Sequence, residues 1–161
     1  DGEPGPPAEV FVVISNHAEK RVRVRVVGIE RVVAVAREIE LAGKDDRTRG
    51  SEPLKDASLM EVANTLLEKL RPALLLITLG DQGMLLCHRG EKPFHIPTMA
   101  QEVFDVSGAG DTVIASFTMA IAAGASPVEA AIISNHAAGV VVGKIGTATL
   151  TQEELIASFE R

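Results

Sequence analysis

Aromatic residues are almost missing from this sequence: it has five Phe, no Trp and no Tyr. Its core must therefore be aliphatic, and the stacked aromatic platforms that hold single-stranded nucleic acid are excluded. Basic residues are also in deficit. Sixteen Lys and Arg face 22 Asp and Glu, for a net charge of −6. An acidic chain binds nucleic acid and anionic membranes poorly, so neither is expected as a partner, although a local basic patch can still hold a small phosphorylated molecule. There is one cysteine, Cys87. It can form no disulfide within the chain, which fits a reducing compartment such as the cytoplasm, and its apolar neighbours make it a small core residue. Long apolar runs are lacking too. Those around 113–125 and 137–143 are too short and too interrupted by Ser, Thr and Gly to span a bilayer. The opening DGEPGPPAEV has no basic segment leading into an apolar one, so no secretory signal is expected.

What is present reads as one globular α/β domain. With 161 residues, 46% of them hydrophobic, a chain of this size buries about 70% of its unfolded surface and needs no covalent staples. Residues 1–20 form a poorly defined N-terminal segment, Pro/Gly-rich up to residue 9, with VFVVIS (10–15) as a short buried strand. In RVRVRV (21–26) arginines alternate with valines at the period of a half-exposed strand. GIERVVAVA (28–36) reads as its hairpin partner or as the start of a helix, with the strand favoured. The charged stretch from 43 to 57 is broken by Gly and Pro and reads as a linker. Beyond it the pattern sharpens. Ser58 and Glu61 match a capping box before an amphipathic helix over 59–70. ALLLIT (73–78) has the continuous apolar character of a strand buried on both faces. GMLLCH and KPFHIP follow, joined by a turn at Arg89-Gly90. Helices are predicted from about 109 to 123, from Pro127 to about 142 behind a Ser126/Glu129 capping box, and after a Thr151/Glu154 box. Helices alternating with apolar strands point to a layered sheet.

The segment SGAGD (107–111) falls at the start of the second of these helices. A helix N-terminus offers unpaired N–H groups and partial positive charge, and glycines let a ligand approach the backbone, so the turn is suited to phosphate. An ionised carboxylate beside such a phosphate can take a proton from an attacking hydroxyl. In isolation the same residues also describe a tight turn with an ordinary helix-start aspartate.

DVSGAGDTVIASF resembles the signature of the ribokinase/PfkB family of carbohydrate kinases, D-T-x-G-A-G-D-x-F, at Asp105, Ser107, Gly108, Ala109, Gly110 and Asp111. ITLGDQG (77–83) resembles the family's T-x-G-x-x-G element, and SNHAAGVVVGKIGTATLT (134–151) its adenine-flanking helix and loop, with wording most similar to the heptose 7-phosphate kinase branch. The resemblance implies a layered αβα sandwich, incomplete and with a partial β lid at 21–42, whose nucleotide-binding core spans 58–161. It implies Asp111 as catalytic base and Gly108, Ala109 and Gly110 as an anion hole. Thr78, Gly80 and Gly83 would lie by the ribose and phosphates, Asn135, Ala138, Gly139 and Val142 on the adenine side, and Lys144, Gly146 and Thr147 in a loop closing over the base. ATP and Mg²⁺ are the implied cofactors, with K⁺ near Asp105 and a phosphosugar as substrate.

The match departs from the family in the first third of the chain. Ala36 stands where the heptose kinases carry Asp, and the family's Gly-Gly motif and an N-x-x-E element between lid and helix are absent; Asn16-His17-Ala18-Glu19 fits that element but precedes the lid-like strands. His17, His88 and His95 show no metal-ligand spacing. Arg21, Arg23 and Arg25 either face solvent or hold a substrate phosphate. Three functions follow: a heptose 7-phosphate kinase, a nucleotide-binding module without catalysis, or a kinase of another sugar or nucleoside. Unpaired sheet edges would favour a homodimer.

Overall fold

The computed structural model describes residues 10–16, 21–28, 35–40, 53–70 and 74–160. The Pro/Gly-rich start, most of the N-x-x-E match and the charged stretch 43–52 lie outside them, as do the side chains of Arg21, Arg23 and Arg25. Six strands, β1 (Val10–Asn16), β2 (Arg21–Gly28), β3 (Val35–Glu40), β4 (Leu74–Thr78), β5 (Met84–His88) and β6 (Phe94–Ile96), form one sheet in the order β3-β2-β1-β4-β5-β6. All neighbouring pairs are antiparallel except β1 with β4, which are parallel. That exception needs a crossover, and helix α1 (Ala57–Leu70) lies within it.

Two expectations are corrected here. The hairpin partner of β2 is Val35–Glu40 instead of 28–36, in a register that pairs Arg21 with Glu40 and Val26 with Val35. In the segment expected as a lid, β2 and β3 pair into the sheet through β1, which joins both β2 and β4. The start of α1 also differs. It begins at Ala57, so Ser58 lies inside it, and the Leu59 N–H donates to Asp56 Oδ1 (3.1 Å). Together with a short 3₁₀ turn at Pro53–Lys55, this gives the last residues of the expected linker regular structure.

Strand alternation builds two cores. Leu75 and Ile77 of β4, with Leu85 and Cys87 of β5, pack on Leu59, Ala63, Leu66 and Leu67 of α1. Leu74, Leu76, Met84 and Leu86 face the other way, onto Val113, Ile114 and Phe117 of α2 (Ala109–Ala122) and Ala130 and Ala131 of α3 (Pro127–Val142). The central sheet is thus covered on both faces, the three-layer arrangement that the apolar run 73–78 predicts. Cys87 is buried, and burial pushes its thiol up to about 11. We expect iodoacetamide at pH 8 to modify it at least about a hundredfold more slowly in the folded than in the urea-unfolded chain, because both access and thiolate are lost. Equal rates would contradict this burial.

Candidate active site

The helix starts on this side of the sheet differ in one respect. At α3, Ser126 Oγ accepts from the Glu129 N–H and Glu129 Oε2 from the Ser126 N–H (2.8 Å), with Pro127 in the first turn. At α4 (Gln152–Ser158), Thr151 and Glu154 make the same reciprocal pair. Both helices spend their terminal donors on their own side chains. Helix α2 begins instead at Gly108, in the left-handed region at φ +81°, with no side-chain cap. Its N-terminus keeps backbone donors and partial positive charge available to an anion. Asp111 lies exposed in its first turn.

The sequence-predicted anion hole is modified in detail. The Ala109 N–H turns back to Val106 O (3.2 Å), which leaves Gly108 and Gly110 as the better-placed donors of the three. Thr112 closes the turn from the other side, its N–H and Oγ1 both donating to Gly108 O. Asp105 opens the turn. The Ser107 hydroxyl and amide donate to its carboxylate, the amide at 2.8 Å, and hold it below the ordinary range, with the Gly146 N–H lying against the same group. Behind the turn runs the loop after α3. A Cβ placed on Gly108 would stand 3.1 Å from Thr147 Cγ2. Asp105, Gly108, Gly146 and Thr147 are therefore neighbours.

Thr78 ends β4, and Gly80 and Gly83 bracket the 3₁₀ turn Gly80–Gln82 that follows it. Gly83 abuts the chain after β6, at Ile96–Thr98. His95 Nε2 meets Gln82 O at 2.7 Å and ties the same turn to β6.

Beside the turn, α3, α4 and residues 99–102 enclose a cleft of about 710 Å³. Gly139 and Lys144, both expected on the adenine side, line it. Asn135, Ala138 and Val142 do not. Asn135 is buried and its Nδ2 donates to Pro97 O (2.5 Å); Ala138 packs on the α2 core; Val142 is buried and its carbonyl accepts from the Phe104 and Asp105 amides. These three fix the cleft's walls. Gly139 does so as well as line it, since a Cβ there would stand 3.2 Å from the Ala100 nitrogen.

Glu102, His136, Glu153 and Glu154 also line this cleft, and the sequence motifs did not assign them to a site. The His136 ring stacks on Phe159 at 3.8 Å and its Nδ1 meets Ser158 Oγ at 3.1 Å. Burial lowers its pKa, a shift that Ser158 partly opposes, which favours the neutral ring. A cleft with a neutral imidazole and carboxylates on its wall suits an uncharged base bearing amino hydrogens better than a phosphate.

The fold is that of ribokinase-like proteins. The structure resembles ribokinase from Thermotoga maritima, with a TM-score of 0.60 and 30% identity over 64% of this chain and 35% of that one. Arabidopsis thaliana ribokinase, solved with ribose and ATP, also superposes with a TM-score of 0.60, at 27% identity over 66% of this chain and 35% of that one. Residues 29–154 match the pfkB family of carbohydrate kinases, and the chain belongs to that family. Among curated proteins it is 52% identical over 100 residues to the bifunctional protein HldE of Nitrosococcus oceani, covering 62% of this chain and 21% of that protein. The corresponding protein of Desulfatibacillum aliphaticivorans is 50% identical over 111 residues, 69% of this chain and 23% of that protein. The chain thus spans about a fifth of the length of these relatives.

Proposed function

We propose that this chain binds Mg²⁺-ATP and supports transfer of its γ-phosphoryl group to a sugar hydroxyl, with heptose 7-phosphate as acceptor and heptose 1,7-bisphosphate as product. Such a product would serve ADP-heptose and lipopolysaccharide core synthesis in the cytoplasm. The observation that carries the reading is the start of α2: an uncapped helix N-terminus at Gly108, with Asp111 in its first turn. The level of identity to the HldE proteins supports the choice of sugar.

In this reading the purine base enters the cleft beside Gly139 and His136, and the triphosphate runs past Thr78 and Gly80 towards α2. Gly108 and Gly110 direct their amides at the γ-phosphoryl oxygens. The sugar oxygen attacks phosphorus in line, its proton passes to Asp111, and the bond to the β-phosphate oxygen breaks to release ADP. Mg²⁺ would enter with the nucleotide and neutralise charge on its phosphates. Asp105, kept ionised beside the 144–147 loop, would hold K⁺ and balance charge next to the turn.

The test is ADP release from Mg²⁺-ATP with and without heptose 7-phosphate, with ATP binding followed by calorimetry on the same samples. Gly110→Val is expected to weaken ATP binding at least about tenfold, the size of one lost charge-assisted hydrogen bond. Unchanged affinity would overturn the anion-hole assignment. Binding without sugar-dependent release would leave a nucleotide-binding module in place of a kinase.

A further inference from the structure

The loop 144–147 backs the Asp105–Gly110 turn, yet little packing holds it. Ile145 is 89% exposed, and a Cβ on Gly146 would find no atom within 4 Å. What fastens the loop is a chain of polar contacts leading to α4. Lys144 Nζ donates to Thr149 O (2.8 Å), which folds the loop back on itself, and meets Glu154 Oε1 at 2.6 Å. Glu154 is itself fixed. Its Oε2 accepts from the Thr151 N–H (2.8 Å), and its own N–H donates to Thr151 Oγ1 (3.2 Å). At the loop's far side, Gly146 and Thr147 touch Asp105 and Gly108. One carboxylate therefore does two tasks: it caps α4 with one oxygen and holds the loop's lysine with the other.

We propose that Glu154, acting through Lys144, is a positioning residue that sets the 144–147 loop against the Asp105–Gly110 turn and thereby fixes the phosphate end of the nucleotide site. The inference rests on the nucleotide-binding reading above for its functional consequence, though not for the mechanical coupling itself. Exposed ion pairs usually contribute little because two long side chains must be immobilised for one contact. Here that cost is reduced, since the capping box already holds Glu154 and a carbonyl already holds Lys144. Both side chains also line the cleft, so a shift of the pair displaces the wall against the base as well as the loop behind the phosphates.

Glu154→Gln separates the two tasks. It keeps the length and an oxygen for the Thr151 N–H, so α4 stays capped, while the charge facing Lys144 is lost. We expect amide hydrogen exchange at Gly146 to quicken and ATP affinity to fall about three- to fivefold, the upper range for a surface pair. The thermal midpoint should stay near that of the wild-type chain. Lys144→Arg, which keeps the charge, should exchange the Gly146 amide more slowly than Lys144→Met. Lys144→Met combined with Glu154→Gln should be no weaker than the worse single variant, since both remove one contact. Unchanged Gly146 exchange in Glu154→Gln overturns the inference, whether or not the chain binds ATP. So does faster exchange with unaltered ATP affinity, provided Gly110→Val weakens binding. A wild-type chain that binds no ATP, with Gly146 exchange still sensitive to Glu154, overturns the proposed function and leaves the coupling standing.

Discussion

Asp111→Asn is expected to bind ATP with near wild-type affinity and to lose about a hundredfold to ten-thousandfold in sugar-dependent ADP release. That range is what a positioned general base contributes. The asparagine keeps the size and the hydrogen-bonding oxygen of the side chain, so the first turn of α2 should be undisturbed. It cannot hold the proton that leaves the sugar hydroxyl. The measurement is steady-state ADP release at saturating sugar, with calorimetric ATP titration of both proteins. A large loss of ATP affinity in the variant would count against the base role and assign Asp111 to nucleotide binding. Its place supports the base role: it is exposed, in the first turn, one residue beyond Gly110.

Gly83→Ala should be the most destabilising single substitution in the loop after β4, by about 3 kcal/mol or more. Two effects add. The residue sits at φ +87°, ψ −124°, a region open in practice only to glycine. A Cβ there would also fall 2.1 Å from the Ile96 carbonyl oxygen and 2.6 Å from the Thr98 nitrogen. Those atoms are backbone and can yield only by moving β6, so overpacking adds to the strain. Gly80→Ala is the internal control. Its φ is +65°, but a Cβ would meet nothing within 4 Å, so only the left-handed penalty of about 1–2 kcal/mol applies. Urea denaturation of both variants beside wild type separates the terms. Equal losses would mean that Gly83 is not in close contact with the chain after β6.

The sequence was most readable where one physical rule acts over a few adjacent residues. The capping boxes at Ser126/Glu129 and Thr151/Glu154 are formed as their spacing predicts. Helix α1 shows the limit of the same rule. Ser58 and Glu61 fit the motif, but Asp56 lies closer to the true start and its carboxylate takes the Leu59 amide. Strand β3 was misplaced because GIERVVAVA is the more apolar run, whereas register with β2 selects Val35–Glu40. Hydrophobicity identifies a strand; pairing decides which residues enter it. The cleft was the least readable part. Glu102, His136 and Glu154 come from three separate segments, so no local spacing connects them. The Gly108 turn, by contrast, was evident from adjacent glycines and a carboxylate. Asn135 illustrates a third case: the right segment, but a side chain turned to Pro97 and the wall instead of the cleft.

The packing of α2 and α3 in one core has a consequence for how the chain folds. The two helices are joined by only the short stretch between Ala122 and Pro127. Such local contacts close small loops and form early. The parallel pairing of β1 with β4 instead joins residues such as Phe11 and Leu74, which meet only after a much longer closure. The Asp105–Gly110 turn therefore belongs to the fast part of the folding reaction, and the parallel seam to the slow part. On the nucleotide-binding reading proposed above, nucleotide present during refolding would meet the turn before the seam has closed.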